Sequence, residues 1–484
     1  MKNYSVLGIK NKIIKGEGLK VLRDIDLQSI QEVRNYLKEA KEAQKILAKM
    51  TQEEIDKIVE SMANAAREEA SRLAAMAVEE TGFGNVADKT TKNLFAANDV
   101  YNSIKDEKTV GIIRRDEENR VWEVAQPVGI VAGIVPSTNP TSTVIFKSLI
   151  AVKAGNTIIF SPHPAAAKCT VEAARIMQEA AERAGAPKGL ISCITQPTMA
   201  ATNELMQHKL TDVILATGGP GLVKAAYSSG KPAFGVGPGN IPVYIHESAN
   251  IAKAVELIIQ SKTFDNGTIC ASEQALLVDE SIKEKVIAEL KQQGAYFLNE
   301  DEKRKVESVI MVNGALNAKI VGKTPQVIAE MAGIEVPVDV KVLVAEETGV
   351  GKEYPFSIEK LSPTLAFYTV KGTEEASELA LKLLELGGLG HTVGIHAEDE
   401  KVIEAFVINK PAGRIIVNSG TTFGGIGATV NLMPSLTLGC GAIGNNVTSD
   451  NVTVTHLFNI KRVAFGVREM PKKDEAQKEA ALTK

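Results

Sequence analysis

The run Val128-Gly129-Ile130-Val131-Ala132-Gly133-Ile134-Val135, followed at once by Pro136-Ser137-Thr138-Asn139-Pro140, decides how this chain folds. An apolar run without alternation reads as a strand buried on both faces, and the polar turn after it leads into a helical segment from Pro140 to Lys153. The unit then repeats: NTIIF before Ala165 to Arg183, LISCI before Met199 to His208, and DVILAT before Gly221 to Ser228. Strand, helix, strand at this spacing predicts an α/β fold with a parallel, doubly wound sheet. Such sheets bind ligands at the carboxyl ends of their strands. Those ends are the turn 136–140, Ser161-Pro162-His163-Pro164 and Thr217-Gly218-Gly219-Pro220-Gly221. The glycine-rich turn opens a helix, so its N–H groups suit a pyrophosphate; it lacks G-x-G-x-x-G spacing and suits a plain glycine turn equally well.

Towards the C-terminus, Phe234-Gly235-Val236-Gly237-Pro238-Gly239-Asn240 reads as a domain boundary, and from Pro242 a second set of strand and helix elements follows. Within it lies Phe264-Asp265-Asn266-Gly267-Thr268-Ile269-Cys270-Ala271-Ser272-Glu273-Gln274. One cysteine sits there in a short polar loop, where backbone N–H groups can stabilise a thiolate. Taken alone it is equally a small buried hydrophobe. Further on come Gly387-Gly388-Leu389-Gly390-His391-Thr392, a strand at 413–418, and the loop Thr437-Leu438-Gly439-Cys440-Gly441.

Towards the N-terminus the chain reads as helical from Leu27 to about Gly82, with Thr51-Gln52-Glu53-Glu54 a capping box. Val110 to Arg115 and Arg120 to Ala125 read as a hairpin with a polar turn, its edge strand carrying Trp122, the only tryptophan. Residues 1–18 place Val6, Leu7, Ile9, Ile13 and Ile14 on one side of a helical wheel, a face that suits docking to a larger assembly or an arm lying on the protein's own surface.

Composition bounds the function. A chain of 484 residues, 44% hydrophobic, can bury more than one core. With 55 basic and 59 acidic residues interspersed (net charge −4), it carries no footprint for nucleic acid or an anionic membrane. Cys169, Cys193, Cys270 and Cys440 are widely spaced with no CxxC pair, which argues against a disulfide framework or a metal site and for a reducing compartment. A cytoplasmic location is expected, since no run suits a membrane span or signal peptide.

Together IVPSTNPTS, SPHP, ATGGPGLVKAAYSSGKPAFGVGPGN, FDNGTICASEQ, EKLSPTL, GGLGHT and PSLTLGCG resemble, in order and over residues 25 to 465, the aldehyde dehydrogenase superfamily. The likeness is to its CoA-acylating branch, including the aldehyde dehydrogenase half of bifunctional aldehyde–alcohol dehydrogenases. It implies the aldehyde dehydrogenase fold: two doubly wound parallel-sheet domains plus an oligomerisation arm. The expected division is an N-terminal arm (1–24), a coenzyme-binding domain (25–240, with the hairpin 110–125 in the oligomerisation arm), a catalytic domain (241–425), a return segment with an oligomerisation strand (426–467) and a charged tail (468–484). No iron-dependent alcohol dehydrogenase half is expected after Lys484, and a homodimer or higher oligomer is.

The resemblance makes Cys270 the nucleophile and Asn139, with the Cys270 backbone N–H, the oxyanion donor; locally Asn139 also suits an N-cap before Pro140. It puts Ile134, Val135, Pro136, Ser137, Thr138, Asn139, Ser161, Gly219, Gly237, Glu359, Leu438, Gly439, Cys440 and Gly441 around the coenzyme. Glu359 would bond the nicotinamide ribose or else lie exposed beside Lys360. Cys440 marks a close backbone approach rather than a second nucleophile. NAD is the expected coenzyme, with NADP also accommodated, because the 161–164 turn offers no carboxylate for the ribose. Hydrolytic members carry a glutamate where alignment on Pro242 puts Val236, so CoA is the expected acyl acceptor. His391 is the expected base for its thiol, or else packs a glycine turn. The implied reaction oxidises a short aldehyde, acetaldehyde by default, to its acyl-CoA; propionaldehyde, butyraldehyde, succinate semialdehyde and sulfoacetaldehyde are alternatives, as is a non-catalytic scaffold. A bacterial protein compartment is a further possible setting.

Overall fold

A computed structural model describes residues 24–470. The docking segment expected at 1–18, and the tail from Pro471, lie outside the described residues. Asp24 caps the first helix, Ile25–Leu47. Thr51 caps the second, Gln52–Thr81, with both bonds of the capping box made, and Gly82 ends it in a left-handed conformation (φ +65°) that costs glycine no Cβ clash. A third helix, Val86–Phe95, leads to a hairpin of β1 (Gly111–Asp116) and β2 (Val121–Pro127).

The run that opens the sequence argument is β3 (Ile130–Val135). It is followed by β4 (Thr157–Pro162), β5 (Ile191–Cys193), β6 (Val213–Thr217) and β7 (Ala233–Val236). These form one parallel sheet in the order β5-β4-β3-β6-β7. Every residue of β3 and β4 is buried, because each face has its own helical cover. Val131 and Val135 pack with residues of Gln52–Thr81, Pro140–Lys153 and Ala167–Arg183. Ile130, Ala132 and Ile134 pack with Val33, Leu37, Ala201 and Leu205 from the other side. Each fully buried valine or isoleucine is worth roughly 1.5–3 kcal/mol, so apolar residues at consecutive positions favour this two-sided arrangement over one wet face.

Only Gly237-Pro238-Gly239-Asn240 separate β7 from β8 (Ile241–Ile245). There follow β9 (Glu273–Asp279), β10 (Ala295–Phe297), a small ribbon of β11 (Met311–Val312) and β12 (Ala315–Leu316), then β13 (Val342–Glu346), β14 (Thr364–Val370), β15 (Gly390–His396) and β16 (Ala412–Val417). The second sheet is parallel, ordered β10-β13-β14-β9-β8-β15-β16. A four-residue link reaches at most about 14 Å, so the carboxyl end of β7 lies against the amino end of β8. Cys270 precedes β9, the neighbour of β8, by three residues. Topology therefore brings residue 270 to the junction of the two sheets, near the end of β7.

A last strand, β17 (Phe458–Ala464), pairs antiparallel with β2 from Phe458↔Pro127 to Ala464↔Val121. This corrects the expectation that Trp122 lies on an edge: β2 is central in the three-stranded sheet β1-β2-β17, because a strand over 300 residues away covers it. Trp122 packs edge-on against Phe465 (5.0 Å) and beneath the Arg115 guanidinium (4.4 Å). The free edges are β1 and β17, and β17 leaves Ile460 and Val463 each about two-fifths exposed. Among the described residues no helix is long and apolar enough to cross a membrane.

Candidate active site

Asp265 and Asn266 adopt left-handed backbone (φ +49° and +52°) and Gly267 follows at +73°. Such a turn is unfavourable for the two non-glycine residues and persists only when its surroundings hold it. Asp265 provides the hold. Its fully buried carboxylate accepts from Lys89 Nζ (2.9 Å), Thr268 Oγ1 (2.7 Å), Asn85 N (2.9 Å) and Lys92 Nζ. Burial pushes this carboxyl's pKa up, but the two ammonium groups outweigh it and keep the net shift downward. Gly84 approaches so closely that a Cβ there would overlap the carboxylate. With the turn fixed, Thr268 and Ile269 are buried and Cys270 is half-buried. The Cys270 thiol is pushed up to about 12 by burial, then by Glu359 and Cys440, with Arg414 and its own backbone N–H acting the other way.

Asn139 ends the turn after β3, directly before the helix Pro140–Lys153. Its side chain makes no capping bond, which removes the N-cap alternative. Oδ1 instead accepts from Lys92 Nζ (2.5 Å), while Nδ2 donates to Thr138 Oγ1 (3.1 Å) and to Thr268 O (3.3 Å) on the cysteine loop.

The opposite wall comes from the inter-sheet link. A Cβ on Gly239 would stand 2.3 Å from Cys270 O and 3.2 Å from His391 Cδ2, so only glycine lets these segments meet. Glu359 Oε1 accepts from Gly239 N (2.9 Å), and burial raises this carboxyl to about 7. Lys360 does not partner it: that ammonium is buried and donates to Phe356 O (2.6 Å) and Ile358 O (2.7 Å). Val236, at the end of β7, is 2% exposed. His391 is fully buried; Nδ1 bonds the Thr392 hydroxyl (2.9 Å) and Nε2 has no partner. Burial, then Arg414, lowers its pKa to about 3. The ring is therefore neutral at ordinary pH, since nothing beside it compensates a positive charge.

The segments expected around a coenzyme divide. Ile134 and Val135 are buried strand residues, whereas Pro136, Ser137 and Thr138 are half-buried at the crevice. Gly219 and Gly237 border open space, and Thr217 Oγ1 beside Gly218 lacks a partner. Open backbone with an unpaired hydroxyl at strand ends fits a dinucleotide. Ser161 is buried, its hydroxyl sharing a hydrogen bond with Thr202 Oγ1 (2.8 Å). Leu438 likewise packs in the apolar core. The glycines beside Cys440 are fixed by protein packing, because a Cβ on Gly439 would meet Thr448 O at 2.4 Å, and one on Gly390 would overlap Cys440 O. Gly441 has φ +63°.

Sequence reasoning missed Lys89, Lys92, Thr268 and Arg414. Arg414 ties the site's back wall, its Nη2 donating to His391 O (2.8 Å) and Gly439 O (2.6 Å). The available signal was the i, i+3 spacing of the two lysines, which puts both on one face of their helix.

Two parallel sheets joined by a four-residue link bring a loop cysteine, an amide and a carboxylate onto segments that meet. The aldehyde dehydrogenase family matches residues 13–336, and the chain belongs to that family. It is 49% identical over 447 residues to the bifunctional aldehyde-alcohol dehydrogenase AdhE of Escherichia coli K12, covering 91% of this chain and 50% of that protein. The chain thus spans about half the length of such bifunctional relatives. It is 38% identical to succinate-semialdehyde dehydrogenase (acetylating) of Clostridium kluyveri, covering 90% of this chain and 96% of that one. A solved structure, an acetylating aldehyde dehydrogenase from Geobacillus thermoglucosidasius, superposes with TM-score 0.93 at 90% identity, covering 93% of this chain and all of that one.

Proposed function

We propose that the chain is a CoA-acylating aldehyde dehydrogenase, aldehyde + CoA + NAD+ ⇌ acyl-CoA + NADH + H+, acting on acetaldehyde or another short aldehyde. The observation that carries this is the buried valine at 236, where a hydrolytic enzyme needs a carboxylate, in a chain whose loop cysteine, Cys270, is half-buried. The 90%-identical acetylating relative supports acetaldehyde; the succinate-semialdehyde relative keeps other aldehydes in play. NADH formation from a panel of short aldehydes, with and without CoA, tests it, and no CoA-dependent turnover with any of them would refute it.

In this reading residues 25–240 bind the coenzyme, 241–425 carry the catalytic thiol, and 426–467 return to the arm. The Cys270 thiol gives up its proton to water, its sulfur attacks the carbonyl carbon, and the oxyanion that forms accepts from Asn139 Nδ2 and the Cys270 N–H. When bound at the crevice, the coenzyme supplies the hydride acceptor. Loss of hydride leaves a Cys270 thioester, which the CoA thiol displaces, restoring the cysteine. In this reading His391, neutral and with Nε2 unpartnered, is the base for that thiol.

Glu359 holds the nicotinamide ribose. It accepts most strongly when ionised, so with a pKa of about 7 the coenzyme KM is flat above pH 7 and rises as pH falls below it, by at most about tenfold per unit. Glu359→Gln is expected to raise KM and remove that dependence; an unchanged profile in the variant would assign the titration elsewhere. Ribose discrimination is modest, because His163 and Pro164 present no carboxylate, and NADP is used as well as NAD.

The unpaired, part-apolar edge of β17 supports a homodimer or larger assembly. Sedimentation is expected to give no stable monomer at micromolar concentration. Four free thiols suit a reducing, cytoplasmic setting.

A further inference from the structure

We infer that Lys92, through its salt bridge to Asp265, sets the orientation of the Asn139 amide and so decides whether a donor or an acceptor faces the reacting carbonyl. The inference rests on the proposed oxyanion role of Asn139 and assigns a positioning residue on a different helix.

An amide has two nearly isosteric ends, and turning it over exchanges an acceptor for a donor. Asn139 is not oriented by its own helix, since it makes no capping bond there. Lys92 resolves the choice. An ammonium has three protons and no lone pair, so whichever amide atom faces it must be oxygen. All three protons are committed, to Asn139 Oδ1 (2.5 Å), Thr268 Oγ1 (2.9 Å) and Asp265 Oδ2. Nδ2 is then forced towards the loop 268–270, where it lies 3.3 Å from Thr268 O. A reversed amide would set its N–H groups against the ammonium, losing a charge-assisted bond and adding repulsion.

The ammonium is itself held. Lys92 is 3% exposed, and the groups facing it are the Asp265 carboxylate, the Thr268 hydroxyl, the Phe264 ring (5.7 Å) and, from its own helix, Lys89 and Asp88. Lys89 bonds the same Asp265 oxygen (2.9 Å) and also Thr138 O (2.8 Å), pinning the backbone just before Asn139. Thus the turn that presents the nucleophile and the side chain that presents the oxyanion donor share one buried carboxylate.

Burial brings the Lys92 pKa down to about 8, with Asp265 pulling it up and Lys89 pushing it down. Once deprotonated, the amine gains a lone pair and accepts as well as donates, so it no longer fixes the amide. The wild-type kcat is therefore expected to fall as pH rises through about 8.

The test is a double-mutant cycle between Lys92→Met and Asn139→Ala, read as kcat and coenzyme Kd. Asn139→Ala should lower kcat by about 10²- to 10³-fold, the usual loss for one oxyanion donor. Lys92→Met in the wild-type background should lower it by about ten- to a hundredfold, leave coenzyme Kd within about twofold, and flatten the alkaline limb. In the Asn139→Ala background it should cost several-fold less than in the wild type, because no amide remains to be turned and only the 265–268 turn still feels the loss. Where Lys92→Met does not fold, Lys92→Gln, uncharged but able to donate, is measured in the same cycle with the same expected coupling. Multiplying effects, or an alkaline limb that survives loss of Lys92, overturn the inference. Full kcat in Asn139→Ala instead overturns the oxyanion reading beneath it, so the two failures are told apart.

Discussion

Replacing Cys270 by serine is expected to abolish aldehyde oxidation, by at least about a thousandfold, while coenzyme still binds. The exchange is nearly isosteric and the loop is held by Asp265 rather than by the thiol, so the fold has no reason to change. What changes is the nucleophile. A hydroxyl ionises far less readily than a thiol, and this pocket already opposes anions, as the rise of the thiol to about 12 records. An oxyanion hole cannot compensate, because it acts only after the carbonyl has been attacked. The contrast is with Cys169, buried and likewise raised to about 12, and Cys193, also buried. Cys169 packs against Ala77 of the helix Gln52–Thr81, and Cys193 lies in β5 within the first core, so Cys169→Ser and Cys193→Ser should keep most of their activity per folded molecule. NADH formation with short aldehydes, alongside coenzyme binding, checks this; more than a few per cent of activity in Cys270→Ser would remove the assignment.

Why the sequence reveals Cys270 but not its supports follows from the range of the forces involved. β3, β4, β5 and β6 announce themselves because strand pairing and burial leave apolar runs, a signal contained within each segment, whereas β7 lies in the glycine-rich stretch that reads only as a boundary. The four-residue link after Val236 is equally local, and with the two parallel sheets it places the cysteine. Lys89 and Lys92 look like an ordinary solvated helix face. They become buried only when the helix Val86–Phe95 docks on a turn more than 170 residues away, and no periodicity encodes that event. Arg414 is hidden in the same way, inside a strand. Trp122 was misplaced because β17, which makes β2 central, is remote in sequence. Asn139 before a proline carries the full local signature of a cap, yet Lys92 competes for its oxygen and a charged donor wins. Ser161, at a strand end where ligands bind, shares its hydroxyl with Thr202.

Omitting CoA should separate this protein from a hydrolytic aldehyde dehydrogenase. With aldehyde and NAD alone, one NADH per active site is expected in a burst, followed by near arrest, because the Cys270 thioester has no activated water to meet it. Val236 is an apolar side chain buried at the end of β7, and a valine cannot take a proton. His391 is the remaining candidate, but a ring whose pKa is lowered to about 3 gains little by accepting one at neutral pH, so a slow steady rate is the most it could add. CoA needs no such help, since exchange of one thioester for another is close to balanced in free energy and its thiol is intrinsically nucleophilic. Adding it should restore turnover with acyl-CoA as product. Val236→Glu probes the same point from the other side: a carboxylate within hydrogen-bond reach of the attacking water should release free acid without CoA. Burying that charge costs stability, so acid release is measured on the fraction that still binds coenzyme. The wild-type result carries the decision. Free acid released steadily without CoA, as fast as acyl-CoA forms with it, would mean that water reaches the thioester activated by a group other than residue 236.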